Sequence, residues 1–198
     1  MLNYRKSAEF LWSDTKSLDL LNFISMALHK YIRLYTSYNV WANKQLGDVA
    51  IGLEDFDFEA ELNSSFKSIK KTFLHIWDAE YIWLSRIQEL QPKNIPSKFF
   101  NGTKEGLIKQ MGDTSAAFDE MAACQNILSL ERMIEYKLLN GDAGRSKIYE
   151  SIMHCMNHST YHRGQLVTLF RQAGVKTIPA TDLIQFARLE QKDKLTHY

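Results

Sequence analysis

Proline is scarce in this chain, and its scarcity constrains the fold more than any other feature. The 198 residues contain three prolines, at positions 92, 96 and 179. Because proline disrupts helix interiors, the long proline-free segments between these positions favour helices. The sequence therefore predicts a largely helical chain.

Four long segments carry apolar residues at the helical spacing that a bundle core requires. These patterns start at Ile32, Phe66, Leu107 and Ser151. Asn63 or Ser64 suits the N-cap of the second segment, and Gly174 suits the end of the fourth. We predict an all-α chain: an up-and-down four-helix bundle with a short extra C-terminal helix that Thr181 could cap.

The connections and the N-terminus show other patterns. Residues 91–102 contain two prolines and a glycine, which predicts a loop. Residues 131–142 fit extended structure that ends in an Asn-Gly turn, though the pattern is weak. Residues 1–29 are mixed in polarity and balanced in charge, so we expect a helical or disordered N-terminal extension. Residues 30–198 would then form the bundle domain.

Composition excludes several classes of function. The formal net charge is +1, and Lys and Arg are spread along the chain, so no nucleic-acid or membrane-surface partner is expected. No apolar run approaches the length of a membrane span, and no signal-peptide pattern is visible. Two cysteines, Cys124 and Cys155, are too few for a disulfide framework. We therefore predict a cytoplasmic protein.

The fourth segment places histidines four residues apart, at His154, His158 and His162. Residues four apart lie about 40° apart on the same side of a helix. By this geometry His158 and His162 fall within the apolar stripe, while His154 lies further round. Two imidazoles one turn apart can bind a single ion, and neutral imidazole is a ligand for several metals. Hydrogen-bonded core histidines would give the same pattern.

Two ligands do not complete a metal site, and the candidate third ligand is His75. It lies beside the apolar stripe of the second segment, so spacing alone leaves a surface or boundary position equally open. The pair on the fourth segment lacks the glutamate of H-E-x-x-H, because Ser159 follows His158, which counts against a zincin protease. Glu150 precedes His154 by four residues and has no second copy, which counts against a di-iron bundle.

Three further expectations concern the interior. Glu80 falls on the apolar stripe, so we expect it to be hydrogen-bonded within the bundle. Tyr38, Trp41 and Trp83 are expected in the core rather than at a substrate surface. Cys155 is expected to be a buried, inert thiol.

Four stretches together resemble the DinB/YfiT-like superfamily of metal-binding bundle proteins. They are YNVWANKQL (38–46), HIWDAEYIWL (75–84), HCMNHSTYHRGQL (154–166) and IPATDLIQF (178–186), in the order typical of that family. The resemblance covers roughly residues 30–189. It implies that His75, His158 and His162 bind a divalent metal ion.

The resemblance also implies a function. Three neutral histidines leave an open position on the ion, which is typical of catalytic rather than structural sites. We expect an enzyme that activates a thiol or water, as a thiol S-transferase or a hydrolase of a small molecule. The expected metal is zinc or nickel, with iron or manganese as further candidates. A low-molecular-weight thiol is a candidate substrate, and a homodimer is expected. The alternative is a non-catalytic metal-binding stress-response or structural bundle protein.

Five further residues are candidates for the surroundings of the metal: His154, Asn157, Asp78, Gln165 and Arg163. Asp78 could orient the imidazole of His75 by accepting its second N–H, or could be solvated. Arg163 could receive a substrate anion or form a structural ion pair, and we favour the structural role. Asn157 and Gln165 could donate hydrogen bonds beside the metal or between helices. The resemblance places His154 next to the site without requiring it as a ligand.

Overall fold

The structure is a computed structural model. It describes the backbone of residues 3–92 and 94–195 and the side chains of residues 26–92 and 94–192. Within these ranges the chain forms eight helices and one two-stranded sheet. In chain order the elements are α1 (Asn3–Ile51), α2 (Asp55–Glu59), α3 (Ile69–Ile87), α4 (Pro96–Phe99), α5 (Lys104–Ala123), α6 (Ile127–Leu130), β1 (Met133–Lys137), β2 (Ala143–Lys147), α7 (Ile148–Gln172) and α8 (Leu183–Leu195).

The four long helices α1, α3, α5 and α7 pack as a bundle, which confirms the predicted fold class. Helix α1 packs against α5 and α7, and α3 packs against the same two helices. Helices α1 and α3 therefore occupy diagonal positions, and α3 lies directly beside α7. The extra C-terminal helix α8 packs on α1. Within the described residues, no helix is long and apolar enough to cross a membrane.

Helix α3 begins later than the sequence predicts. Ser68, rather than Asn63 or Ser64, is its N-cap, and the Ser68 hydroxyl accepts a backbone N–H of the first turn at 3.1 Å. Lys67 just before it has a positive φ of 61°, a conformation that cannot continue a helix. Phe66 consequently lies in the loop that leads into α3. Its sequence spacing from the apolar residues of α3 fits a helix, which is why the pattern wrongly predicted that Phe66 belongs to it.

The extended segment predicted at 131–142 is the first half of a β-hairpin. Strands β1 and β2 are antiparallel, with Tyr136 opposite Gly144, and the turn contains Gly141 at a φ of +94°. The ring of Tyr136 covers Gly144 so closely that a Cβ there would lie 2.5 Å from the ring atom Cε2. The hairpin packs on α3 and α7, the two helices that carry the histidines.

Besides a small cluster of Tyr38, Ala42 and Phe186, the core of the described residues contains two large apolar clusters and a buried polar layer. One cluster contains Leu46, Ala50, Phe58, Ile69, Phe73, Ile76, Trp77, Leu107, Ile108, Met111, Leu166, Leu169 and Phe170. The other contains Ile32, Leu84, Ile87, Phe118, Ala122, Leu130, Ile134, Ile148, Ile152, Cys155 and Met156. Cys155 is fully buried, as predicted. The polar layer is formed by Asn39, Asn43, Glu80, Ser115, Ser159 and Arg163, which are all buried.

Glu80 is the centre of this polar layer and is fully buried. Its carboxylate accepts hydrogen bonds from Asn39 (2.7 Å), Asn43 (2.8 Å), Ser115 (2.5 Å) and Ser159 (3.1 Å). These contacts confirm the prediction that Glu80 is hydrogen-bonded within the bundle. Buried polar groups without partners are costly, so four donors explain how a carboxylate is tolerated here.

Arg163 is joined to Glu80 through the two asparagines. Nη1 of Arg163 donates to the side-chain oxygens of Asn39 and, at 2.9 Å, of Asn43, while the amide nitrogens of both residues donate to Glu80. Each amide therefore bridges a buried anion and a buried cation. Arg163 thus belongs to a buried network, and its partners there are amides rather than the carboxylate of an ion pair.

The N-terminal extension predicted for residues 1–29 lies partly outside the described side chains, which begin at residue 26. The backbone of α1 is helical without interruption from Asn3 to Ile51. The division into an extension and a bundle domain at residue 30 remains a prediction.

Candidate metal centre

Three histidines from two neighbouring helices converge at one point. Nε2 of His158 lies 3.0 Å from Nε2 of His75 and 3.1 Å from Nε2 of His162. The ligand atoms of all three lie within 4.8 Å of one another, and among the described residues they form the one group of His, Cys, Asp and Glu that could hold a metal ion. His75 comes from α3, and the other two come from α7.

The helix geometry explains this convergence. His158 and His162 lie one turn apart on α7 and face α3, since α3 and α7 are packed neighbours. His162 is buried, whereas His75 and His158 are half-buried. The position of His75 beside the apolar stripe of α3 is a boundary position that faces the histidines of α7.

Burial and mutual repulsion keep these imidazoles neutral. Burial, with a smaller contribution from the charge of His162, lowers the pKa of His75 to about 4. Burial and the neighbouring histidines lower the pKa of His158 to about 4 as well. Burial also lowers the pKa of His162, against the opposing effect of its hydrogen bond to Gln165. Neutral imidazole is the form that binds metals, so the site is poised for a cation at neutral pH.

The proton positions also fit a metal ligand set. Nδ1 of His162 lies 2.8 Å from Oε1 of Gln165, and because an amide oxygen only accepts, this Nδ1 carries the proton. Nε2 of His162 therefore offers a lone pair toward His158. Nδ1 of His158 is buried and has no hydrogen-bond partner. Because the three rings are neutral, at least one of the two short contacts between Nε2 atoms lacks a proton with which to form a hydrogen bond.

A cation among the three Nε2 atoms would satisfy all of them. Tetrahedral zinc binds histidine nitrogens at about 2.0–2.1 Å, which places two such nitrogens about 3.4 Å apart. The observed separations of 3.0 and 3.1 Å are close to that value. The donor chemistry and the spacing of the three histidines therefore fit a divalent ion.

Phe66 covers one side of the three histidines. Its ring stacks on His75 with the ring centroids 3.9 Å apart and meets His162 edge-on at 5.4 Å. The apolar spacing predicts Phe66 inside a helix, so this role was not predicted. No sequence pattern indicates that a phenylalanine in the loop before a helix contacts histidines of that helix.

A cavity of about 560 Å³ lies on another side of the histidines. It is lined by His75, Asp78, Ala79, Ile82, Trp83, Arg86, Ile95, Leu138, Leu139, Asn140, His154 and His158. The prediction that Trp83 belongs to the core is therefore only partly right, because its half-buried ring also forms a cavity wall. Two of the three converging histidines are thus accessible to a small molecule.

The five predicted neighbours of the metal take different positions. Gln165 contacts His162 directly. His154 is exposed and lines the cavity, where its ring meets Trp83 edge-on at 5.1 Å. Asp78 also lines the cavity, but its Oδ1 accepts the backbone N–H of Ser97 at 2.8 Å. Burial raises the pKa of Asp78 against the effect of this hydrogen bond.

For two of the five neighbours the structure gives no hydrogen bond to the three histidines. Asn157 is exposed on α7. Arg163 belongs to the buried polar layer, where Nη2 also donates to Thr160 at 2.7 Å and the guanidinium lies over the ring of Tyr38. Tyr38 itself is buried, as predicted.

Comparison with known proteins identifies the family. The family model described as DinB family matches residues 26–194. The chain belongs to the DinB family. The family match begins at residue 26, within the segment predicted to be an extension.

Two relatives of this DinB family member come from Bacillus subtilis. Protein DinB of strain 168 is 25% identical over 152 residues, which cover 74% of this chain and 88% of that protein. The crystal structure of the DinB-like protein YjoA has a TM-score of 0.58 at 17% identity and covers 75% of this chain and 96% of that one. This structural likeness shows that the two proteins share the fold.

Proposed function

We propose that this DinB family protein binds one divalent metal ion through Nε2 of His75, His158 and His162 and is a metal-dependent enzyme. The ion would activate a thiol or water for reaction with a small molecule, as in a thiol S-transferase or a hydrolase. The observation that supports this proposal is the convergence of three neutral imidazoles, two of which line a cavity. Three protein ligands leave room for a further ligand, which is typical of catalytic sites.

Each residue of the site would have a defined part. The three histidines hold the ion, and Gln165 keeps the proton of His162 on Nδ1 so that Nε2 faces the ion. Phe66 shields His75 and His162 from water on one side, and the cavity admits the substrate on another. When bound, a divalent ion supplies Lewis acidity that favours the nucleophilic form of a thiol or water near neutral pH.

Zinc or nickel is the proposed metal, with iron or manganese as further candidates. Among the described residues the converging donor group consists of imidazole nitrogens, without a carboxylate or thiolate. Imidazole suits zinc, nickel and iron, while oxygen ligands suit manganese. The supply of metal in the cell and the geometry of the site would then select among them.

Phe66 favours a second candidate function. An aromatic ring stacked on a metal ligand restricts access, as in a metal site that stabilises a protein without turnover. On this alternative the chain is a non-catalytic metal-binding stress-response or structural bundle protein. The cavity beside His75 and His158 is the feature that favours the enzyme.

Metal content tests the proposal first. Mass spectrometry on untagged protein should give about one equivalent of a divalent metal for the parent, and that equivalent should be lost in His75→Ala, His158→Ala and His162→Ala. His154→Ala is the matched control, since His154 is exposed on the same helix four residues from His158, and it should retain the metal. A parent that takes up no zinc, nickel or manganese would refute the metal-dependent function.

Turnover separates the two candidate functions. The metal-loaded parent should accelerate the addition of a small thiol to an electrophile, or the hydrolysis of an activated ester or amide, and His162→Ala should not. A parent that holds one equivalent of metal but catalyses none of these reactions would favour the non-catalytic alternative.

The remaining proposals concern assembly and location. Exposed apolar side chains on α1, Met26 and Tyr31, support a homodimer, and light scattering on the purified full chain would measure its mass. The start of the family match at residue 26 supports a metal-binding bundle domain at residues 30–198 that follows an N-terminal extension. Fluorescence microscopy of a tagged chain would test the proposed cytoplasmic location.

A further inference from the structure

A buried arginine lines the same cavity as His75 and His158, but at a distance from them. Arg86 is 7% exposed and belongs to the last turn of α3. Eleven residues separate it from His75, and eleven residues of α-helix advance about 16 Å. Both side chains lean toward the helix N-terminus and the arginine is the longer, so the guanidinium lies on the order of 10–15 Å from the histidines.

Arg86 has aromatic and carbonyl partners but no anionic one. Its guanidinium lies 4.7 Å from the ring centroid of Trp83 and 4.6 Å from that of Tyr136. Nη2 donates to the carbonyl oxygen of Lys137 at 2.9 Å. Among the described side chains, no carboxylate forms an ion pair with Arg86. Burial lowers the pKa of Arg86, which reflects a cation removed from water without a compensating charge.

The other charged group of the cavity does not compensate Arg86. Asp78 is the one carboxylate that lines this cavity among the described residues, and its Oδ1 is bonded to the backbone N–H of Ser97. It lies eight residues before Arg86 on α3, which corresponds to about 12 Å along the helix. A buried arginine with one carbonyl partner has several N–H donors left, arranged in a fork that matches a carboxylate.

The wall between Arg86 and the histidines is largely apolar. Ile82, Trp83, Ile95, Leu138 and Leu139 contribute to it. The volume of about 560 Å³ suits an organic molecule rather than a single ion. The cavity thus combines the converging histidines, an apolar middle and a positive charge on the order of 10–15 Å away.

We propose that Arg86 binds a carboxylate group of the substrate and thereby selects elongated organic anions. The proposal rests on the metal-dependent function above: the reacting thiol, or the group attacked by water, would lie at the histidines, and the carboxylate at the other end would accept the guanidinium donors. Arg86 would determine specificity without touching the reacting atoms. Its contacts with the rings of Trp83 and Tyr136, which meet edge-on, hold the guanidinium in place before the substrate arrives.

A matched pair of thiols tests this proposal. 8-Mercaptooctanoate and 8-mercapto-1-octanol have the same chain, and only the first carries a carboxylate. Isothermal titration of both into the zinc-loaded full chain should show the carboxylate compound binding about tenfold more tightly, as expected for a hydrogen-bonded ion pair in a partly buried site. Arg86→Gln should reduce this ratio to about one, and Arg86→Lys should retain part of it.

The ratio within each variant separates recognition from a structural role. Arg86 also ties Lys137 of the hairpin to α3, so its loss could weaken the binding of both compounds, but a purely structural effect would leave the ratio unchanged. Arg171→Gln, which removes an exposed arginine of α7, is the control for net charge and should leave the ratio unchanged. Circular dichroism would verify that each variant is folded.

The outcomes distinguish this proposal from the proposed function. Equal affinities in the parent, or a preference that survives in Arg86→Gln, would overturn the role of Arg86 while leaving the metal site intact. Zinc-loaded protein that binds neither compound would also overturn it, and metal content measured on the same sample would show whether the metal site itself stands. Failure to load zinc, nickel, iron or manganese would refute both.

Discussion

Replacing Glu80 with glutamine removes a buried negative charge and leaves the shape of the side chain almost unchanged. In the structure, Asn39 and Asn43 each donate to Glu80 and accept from Arg163. Glutamine can keep most of these hydrogen bonds, because Ser115 can accept as well as donate. The main effect of Glu80→Gln is therefore to leave the buried guanidinium of Arg163 without a nearby anion.

The geometry sets the size of this effect. One amide group separates the carboxylate from the guanidinium, so the charges lie on the order of 6 Å apart, and an effective dielectric constant of about 20 gives about 3 kcal/mol. Removal of one partner of a buried ion pair costs about 3–5 kcal/mol by mutagenesis, which agrees. We expect Glu80→Gln to lower the free energy of unfolding by about 3 kcal/mol.

Urea unfolding followed by circular dichroism, in the presence of EDTA so that metal binding makes no contribution, measures this change. Arg163→Met should also destabilise the protein, and the double variant should be less destabilised than the sum of the two by about 3 kcal/mol. Asp48→Asn is the control, since the Lys44–Asp48 ion pair (2.6 Å) is exposed and should contribute less than about 1 kcal/mol. Effects of Glu80→Gln and Arg163→Met that add within about 0.5 kcal/mol would refute the coupling through the two amides.

Three further predictions concern the site and the hairpin. Burial lowers the pKa of His75 and His158 to about 4 from an ordinary value of 6.5, so between these pH values the unfolded chain binds more protons than the folded one. The metal-free protein should therefore lose stability as the pH falls from 6.5 toward 4. His75→Gln should lose less stability over this range, as measured by urea unfolding. An equal pH dependence in both proteins would contradict this. Gln165→Leu removes the acceptor that orients His162 and should weaken metal binding by about tenfold to hundredfold in chelator competition, whereas an unchanged affinity would exclude the orienting role. Gly144→Ala places a Cβ 2.5 Å from the ring of Tyr136, and this clash should lower the free energy of unfolding by about 1–3 kcal/mol. Thermal denaturation measures the change, and an unchanged melting temperature would contradict the prediction.

Sequence patterns predicted the helices better than their arrangement. The absence of proline and the apolar spacing correctly indicated four long helices, because both depend on local geometry. The diagonal placement of α1 and α3 had no such signal, since an apolar stripe shows that a face is buried but not which helix covers it. The predicted start of α3 was wrong for a local reason: Lys67 adopts a positive φ, a conformation that the residue type lysine does not indicate.

The candidate site was predictable only in part. His158 and His162 were found by spacing on one helix, whereas His75 needed the family resemblance, because its position beside the apolar stripe of α3 fits a surface residue equally well. Phe66 escaped notice because it contacts the histidines from a loop. Arg86 lies in the last turn of α3, where cations are common because they interact favourably with the helix C-terminus. The sequence therefore did not indicate its position in the cavity, which is formed in part by residues of the hairpin.

The diagonal arrangement of α1 and α3 has a consequence for how the chain folds. In a bundle whose consecutive helices are neighbours, each new helix can dock on the one before it. Here, among the long helices of the described chain, α3 and α5 are the one consecutive pair that packs extensively. Helix α1 packs extensively on α5 and α7, and it reaches α3 through the hydrogen bonds of Asn39 and Asn43 to Glu80. Such distant pairings slow folding. A growing chain would therefore expose the apolar face of α1 until α5 has been synthesised, and the core could close only once α7 has left the ribosome.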